Sequence, residues 1–126
     1  MQWTVLVILS GLLTVLSPGI VRAAEGNPAA GRVLFIRQCG LCHSSRPGEV
    51  LTAPSLAGVI GRKAGSVKGF SYSSALKAWG RRWDVPQLDA YIASPGKAVP
   101  GSNMSFAGQP DPARRADLIA YLASLR

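Results

Sequence analysis

The stretch from residue 44 to residue 70 limits the possible folds most, because residues that break helices and strands recur throughout it. They are Pro47, Gly48, Pro54, Gly58, Gly61, Gly65 and Gly69. This spacing leaves no room for a regular element, so the sequence predicts a long irregular loop. Such a loop is unusual in a small domain unless it packs against something other than protein chain.

Helical patterns lie on both sides of this loop, and no segment shows the alternation of a convincing strand. Each of the four predicted helices begins at a side chain that can cap its first turn, namely Asn27, Ser73 or Ser74, Asp84, and Asp111. The first three helices are expected to end near residue 40, at about Trp79 and before Pro95. The predicted fold class is therefore all-α.

An uncharged apolar run over residues 5–16 opens the chain. Val21 and Ala23 follow it at the two small-residue positions that a signal peptidase reads, so we predict a secretory signal over residues 1–23, cleaved after Ala23. Residues 24–126 then form the exported domain. The first three residues carry no Lys or Arg, which leaves an uncleaved membrane anchor as the alternative, although a spanning helix needs about 20 strongly apolar residues.

The length of 126 residues holds one compact domain. Apolar residues make up 48% of the chain, which excludes a charged disordered chain, and two cysteines this close together exclude a disulfide framework. Lys and Arg number 14 against 6 Asp and Glu, for a formal net charge of +8. Charge alone admits acidic proteins, membrane surfaces or nucleic acid as partners.

The pentapeptide Cys39-Gly40-Leu41-Cys42-His43 is the strongest functional motif in the chain. C-x-x-C-H is typical of covalent attachment of c-type haem, because two thiols at this spacing form thioethers with the two vinyl groups and the next residue reaches the iron. A thioredoxin-type site would need a preceding strand, and a structural zinc site would need four Cys or His ligands where the chain has three. We therefore predict one haem c, bound through Cys39 and Cys42, with His43 as an iron ligand.

Met104 is the candidate for the second iron ligand. Haem iron is held in proteins by His, Met, Cys or Tyr, and the single histidine and both cysteines are already used. Met104 lies in the turn-rich stretch of residues 100–106, which can bring a thioether to the opposite face of the haem. The alternative is a methionine that only fills a gap in the core.

Five segments together resemble class I cytochromes c, and most closely the group of cytochromes c2 and mitochondrial cytochromes c. They are residues 39–43 (CGLCH), 61–65 (GRKAG), 69–73 (GFSYS), 100–108 (PGSNMSFAG) and 117–122 (DLIAYL). The resemblance covers nearly all of residues 28–126. It implies a small cytochrome c fold, with short helices and long loops around a covalent haem. The N- and C-terminal helices would cross, with Gly31 and Phe35 against Leu118 and Tyr121.

The resemblance also implies roles for residues on the histidine side of the haem. The carbonyl of Pro54 would accept the second ring N–H of His43 and so orient this ligand. Arg62, Tyr72 and Trp83 match residues that bond or shield a haem propionate. A buried carboxylate is costly unless it has such hydrogen-bonding partners.

Three further residues match positions on the methionine side of the haem. Tyr91 and Ser102 correspond to hydroxyl groups near the ligand sulfur, and Phe106 corresponds to the aromatic side chain beside the exposed haem edge. A plain packing role is the alternative for each of them, as it is for Phe70 and Trp83.

Surface charge departs from the family pattern. Mitochondrial members ring the haem edge with lysines, whereas this chain keeps only Lys97 and elsewhere has Gln38, Gly96, Asn103 and Pro110. Arginines carry the charge instead: Arg37, Arg81, Arg82, Arg114 and Arg115. We expect most of them to be solvated, and a role in docking is the alternative. Docking to the partners of the mitochondrial members is therefore in doubt.

The residues and the resemblance together predict an exported, periplasmic, monomeric electron carrier that is not an enzyme. Six-coordinate iron leaves no open position for a substrate, so the expected mechanism is outer-sphere transfer of single electrons. The expected partners are acidic redox proteins: a bc1-type complex, a terminal oxidase, a photosynthetic reaction centre or a soluble dehydrogenase. Nucleic acid is not expected, and a membrane role requires an uncleaved N-terminal segment.

Two alternatives stay open at this point. If Met104 dissociates readily, an open iron site could act as a peroxidase or bind a small gas, and loss of the sulfur–iron absorption band near neutral pH would favour this function. A basic module that binds nucleic acid or membrane is the second alternative, and only the net charge supports it.

Overall fold

Helices at the two ends of the described chain cross and form the centre of the fold. The computed structural model describes residues 25–126, which contain five helices: α1 (Pro28–Gln38), α2 (Ser74–Trp79), α3 (Val85–Ala93), α4 (Pro95–Ala98) and α5 (Pro112–Ser124). The predicted signal segment and the cleavage site after Ala23 lie outside the described residues. Among residues 25–126, no helix combines the length and the apolar character needed to cross a membrane.

The four predicted helix starts are confirmed. Side-chain oxygens of Asn27, Ser73, Asp84 and Asp111 accept backbone N–H groups from the first turns of α1, α2, α3 and α5 at 2.8 to 3.4 Å. These bonds satisfy donors that the start of a helix leaves without a partner. Each cap depends only on its near neighbours in the chain, which is why the sequence pattern sufficed to find it.

Helix α4 is not among the helices predicted from the sequence. The pattern predicts only that Pro95 ends the preceding helix, yet Pro95 also begins α4. A proline is tolerated in the first turn because its missing N–H would have no partner there. The Ser94 N–H donates to Ala90 O and closes α3, so Ser94 and Pro95 end one helix and begin the next.

Gly31 allows the backbones of α1 and α5 to come into contact. A Cβ built on Gly31 would lie 1.9 Å from the backbone oxygen of Asp117 and 2.8 Å from Tyr121 Cβ, so no larger residue fits. Phe35 packs against Tyr121 with ring centroids 5.4 Å apart, and Leu118 is 1% exposed. The predicted crossing of the terminal helices is confirmed.

Residues 44–70 form the predicted irregular loop. Five of its glycines have positive φ angles: Gly48, Gly58, Gly61, Gly65 and Gly69. The Gly61 N–H donates to Trp83 O at 2.7 Å, which ties the loop to the residues just before α3. Lys63 and Arg82 form an isolated antiparallel backbone pair beside it. Together with α3 and α5, the loop lines a common cavity.

Candidate functional site

A cavity brings together almost all of the residues that the sequence analysis selected. Its volume is about 390 Å³. Its lining includes Cys39, Cys42, His43, Pro54, Arg62, Tyr72, Trp83, Tyr91, Met104 and Phe106. Ser102 does not line the cavity. Its hydroxyl oxygen lies 2.6 Å from the hydroxyl oxygen of Tyr91, and Tyr91 does line the cavity.

The other walls of the cavity are mostly apolar. Helical side chains from α3 and α5 contribute Leu88, Ile92, Leu118 and Leu122. The loop contributes Leu56 and Val59, which the sequence analysis missed. They lie in an irregular segment, where no periodicity marks the side chains that turn inward. A flat apolar group with a few charged or polar substituents suits such a lining.

His43 is held in place by both its backbone and its ring. Its Nδ1 lies 2.7 Å from Pro54 O, so the Nδ1–H tautomer donates this bond and leaves the Nε2 lone pair unused by it. The His43 backbone N–H donates to Cys39 O at 2.9 Å. Burial lowers the pKa of His43, and the bond to Pro54 opposes this shift. The ring is therefore neutral near pH 7, as a metal-binding imidazole must be.

Both cysteines line the cavity, and no disulfide joins them. Cys39 is the C-cap of α1 and is half-buried, whereas Cys42 is exposed. Burial, with a smaller contribution from the neighbouring Cys42, raises the pKa of Cys39 to about 11. A thiol with this pKa is protonated near neutral pH.

Arg62 and Tyr72 bring polar groups to the apolar cavity. Arg62 Nη1 donates to Ala57 O at 3.2 Å; burial lowers the pKa of Arg62, and Tyr72 partly offsets this. The Tyr72 hydroxyl accepts the Val67 N–H at 3.1 Å and keeps its own proton to donate. A partly buried cation beside an O–H donor is an arrangement that suits a carboxylate.

Met104 lies between α4 and α5 in a segment without regular structure. The bond between Tyr91 and Ser102 holds the start of this segment. Burial raises the pKa of Tyr91, and the bond to Ser102 opposes the shift. Gln109, which is 6% exposed, holds the far end through its N–H, which donates to Ile92 O at 2.8 Å.

Arg115 is an exception to the expected set of solvated arginines. Its side chain is only 13% exposed. Nε donates to Asp89 Oδ1 at 2.7 Å, and Nη1 donates to the backbone oxygens of Gln109 and Pro110 at 3.0 and 2.9 Å. No local pattern marks this residue, because Asp89 lies on another helix. Arg115 therefore anchors the segment that carries Met104, a role that the sequence analysis did not find.

Comparison with known proteins identifies the family, although no protein-family model matches the chain. Cytochrome c of Tetrahymena pyriformis is 48% identical over 105 residues, which are 83% of this chain and 94% of that protein. Cytochrome c2 of Rhodopila globiformis is 45% identical over 104 residues, 82% of this chain and 98% of that protein. The chain belongs to the cytochrome c family.

The solved structure of cytochrome cH from Methylobacterium extorquens agrees with this membership. It matches with a TM-score of 0.74 and 41% identity, over 79% of this chain and 99% of that one. The predicted all-α cytochrome c fold and the resemblance to cytochromes c and c2 are therefore confirmed. As a cytochrome c, the chain is an electron-transfer protein and not an enzyme.

Proposed function

We propose that this cytochrome c is an exported carrier of single electrons, with one covalently bound haem whose iron is ligated by His43 and Met104. The observation that carries the proposal is the bond from His43 Nδ1 to Pro54 O. It leaves Nε2 unused at a cavity that Cys39, Cys42 and Met104 also line. A histidine held in this way has a fixed ring orientation and is a more basic ligand.

The backbone turn at the end of α1 suits covalent attachment. The N–H groups of Cys42 and His43 both donate to Cys39 O, at 3.0 and 2.9 Å. This turn brings two thiols and one imidazole to a single cavity. Thioether bonds to both sulfurs would also prevent the two neighbouring thiols from forming a disulfide in an oxidising compartment.

The cavity residues would decide what the bound haem can do. When bound, haem supplies an iron that gains or loses one electron. His43 and Met104 would both ligate the iron, which would leave no position for a substrate. The buried apolar side chains of Val59, Leu88 and Leu118 would keep water from the haem, and this burial together with a thioether ligand would favour the ferrous state and a relatively high reduction potential.

Polar cavity residues would bind or shield the propionates and hold the methionine side. Arg62 and Tyr72 would donate to a propionate, since the guanidinium and the phenol proton both lack a carboxylate partner among the bonds of residues 25–126. The buried Trp83 would shield it from solvent. Tyr91 and Ser102 would lie near the Met104 sulfur.

Export and the choice of partners complete the proposal. Removal of residues 1–23 would release the domain into the periplasm. Because the removed segment contains Arg22 and no acidic residue, the released domain would carry a net charge of +7. This charge would steer it toward acidic redox proteins, of the bc1-complex, terminal oxidase, reaction-centre or dehydrogenase type. Phe106, half-buried at the cavity, would lie beside the exposed haem edge. Steering of this kind should weaken as the salt concentration rises.

A pyridine haemochrome assay with spectra of both redox states tests the haem. The purified protein should contain one haem that denaturation does not release, whereas a Cys39→Ser/Cys42→Ser variant should lose it. Absence of covalent haem in the unmodified protein would overturn the proposal. Mass spectrometry of the same sample tests export, because a chain that begins at residue 24 is expected and one that keeps residues 1–23 contradicts cleavage.

A further inference from the structure

Four cations with no role in the proposed cavity lie together on one face of the molecule. Lys63 and Arg82 pair across the isolated backbone bridge, and Arg81 precedes Arg82 in the chain. Lys77 lies beside Gly65, two residues after Lys63, because a Cβ built on this glycine would be 3.6 Å from the Lys77 Cα. All four residues are exposed, and they form what we name the basic face: Lys63, Lys77, Arg81 and Arg82.

The charge of the basic face is not balanced by the carboxylates around it. Asp84 is the nearest acidic residue in the chain, and its carboxylate accepts the Gln87 N–H at 2.8 Å as the cap of α3. Arg82 Nη1 donates to a neutral group, Gly61 O, at 2.9 Å. The ion pairs described within residues 25–126 lie elsewhere, on α5. None of those ion pairs involves the four cations, which outnumber the single Asp84 carboxylate, so the face carries a net positive charge.

Two stacked indoles connect the basic face to the cavity. The guanidinium carbon of Arg81 lies 5.8 Å from the ring centroid of Trp79, within cation–π range. Trp79 stacks against Trp83 with centroids 4.7 Å apart, and the buried Trp83 lines the cavity. Tryptophan and arginine are the residues most enriched at the energetic centres of protein interfaces. Both residue types are present here, at the outer end of the aromatic contact that leads to the cavity.

Building on the proposed function, we propose that the basic face is a docking surface for an acidic redox-partner protein. Trp79 and Trp83 form the route by which one electron passes between this partner and the cavity. The partner loses the electron and the oxidised cofactor gains it, while no bond breaks and no proton moves. This face shares no residue with the positions around Lys97, Asn103 and Phe106, where the family resemblance places the haem edge.

The indole pair is the reason to infer a redox protein as the occupant. An anionic lipid surface or a nucleic acid would satisfy the four charges equally well. Neither exchanges an electron, so neither would make use of an aromatic contact that reaches the cavity. A negatively charged electron-transfer protein uses both features at once, because charge steers its approach and Trp79 lies where it docks.

The charge arm of the test uses the full-length haem-loaded protein and reduced flavodoxin, an acidic flavoprotein, as the electron donor. Stopped-flow rate constants are compared for Arg81→Glu/Arg82→Glu and for a control with the same change in net charge, Arg32→Glu/Arg46→Glu, at exposed positions on α1 and the loop. At low salt, the first variant should react about tenfold more slowly than the control, and high salt should remove the difference. Equal rates in the two variants would overturn the proposal.

Because Arg82 also holds Gly61, a Lys77→Glu/Arg81→Glu variant repeats the measurement without disturbing that bond. The aromatic arm uses Trp79→Leu and Trp79→Phe at saturating donor. Because the donor is saturating, weaker binding does not affect the first-order rate, which should fall several-fold in the leucine variant and recover in the phenylalanine variant. An unchanged rate in Trp79→Leu would overturn the electron route.

Binding to vesicles of anionic lipid or to duplex DNA measures the other two occupants. If Arg81→Glu/Arg82→Glu weakens either binding while the flavodoxin rate equals that of the control, the docking proposal is wrong. The haemochrome assay on each sample separates this failure from failure of the proposed function. Covalent haem together with equal rates would refute only the docking proposal. Absence of covalent haem would refute both the docking proposal and the proposed function.

Discussion

The two sides of the cavity are held in different ways. On the His43 side, residues 39–56 bond mainly to one another. The Ala53 N–H donates to Cys42 O at 3.0 Å, and the Leu56 N–H donates to Ser44 O at 2.9 Å. Ser55, which is 2% exposed, donates to Arg46 O at 2.5 Å. The hydrogen bonds of the His43 side therefore join residues that are close together in the chain.

On the Met104 side, a strap of residues 102–109 packs the side chains of Met104 and Phe106 against the core, and its hydrogen bonds to α3 lie near its two ends. The Ser102 hydroxyl bonds to that of Tyr91 at one end, and Gln109 bonds to Ile92 at the other. Residues 103, 105 and 107 between them are exposed. Because fewer hydrogen bonds hold the strap, we expect it to open before the His43 side does.

Removing the proposed ligands one at a time should give the largest and most unequal effects. His43→Ala leaves Pro54 O without its donor, which costs about 1–3 kcal/mol, and removes a half-buried ring as well. Met104→Ala changes a strap that is already partly exposed and should lower the free energy of unfolding less. Urea unfolding of both haem-loaded variants measures the difference. Equal losses would contradict the comparison of the two sides.

Arg115→Met should come next, because it releases one end of the strap. Asp89 and two backbone oxygens lose their donor, and since Asp89 is 43% exposed we expect a loss of about 2 kcal/mol. The sulfur–iron absorption band should vanish at a lower temperature than in the unmodified protein. Arg114→Met is the matched control, since this neighbour is 60% exposed and should have little effect. Identical melting of the band in both variants would mean that Arg115 does not anchor the strap.

Ser55→Ala tests the His43 side in the same way. Its hydroxyl donates to Arg46 O and accepts the Ala57 N–H at 3.1 Å, so its removal should cost about 1–2 kcal/mol. Thermal unfolding measures the loss, and Ser66→Ala at an exposed position serves as the control. The temperature at which the sulfur–iron band is lost should fall by the same amount as the temperature of global unfolding. Selective loss of that band would show that the two sides are coupled.

Tyr91→Phe should have the smallest effect, about 1 kcal/mol, because it removes one hydrogen bond at the start of the strap. It also predicts a pH dependence. Burial raises the pKa of Tyr91 above its ordinary value near 10, so the unfolded chain releases the phenol proton first and stability falls as the pH rises past about 10. Thermal unfolding between pH 8 and 11 should show less of this fall in the variant. If stability falls equally with pH in the variant and in the unmodified protein, groups other than Tyr91 cause the fall.

The sequence predicted the His43 side better than the Met104 side for a physical reason. C-x-x-C-H and the helix caps depend on residues a few positions apart, so local chemistry marks them. The strap depends on contacts across the chain, such as the bond from Gln109 to Gln38, 71 residues away. No periodicity indicates such a contact. Pro54, Arg62 and Tyr72 were found through the family resemblance, and the structure places them at the cavity.

The crossing of the terminal helices has a consequence for the order of folding. The cysteines lie at the end of α1, the first described helix, whereas its partner α5 is the last of the described helices along the chain. The Asn27 N–H meets Asp117 Oδ1, 90 residues away, at 2.7 Å. Contacts between such distant residues form late, because closing the intervening chain costs entropy first. The two thiols are therefore exposed until α5 packs against α1, and they can be modified before the rest of the fold encloses them.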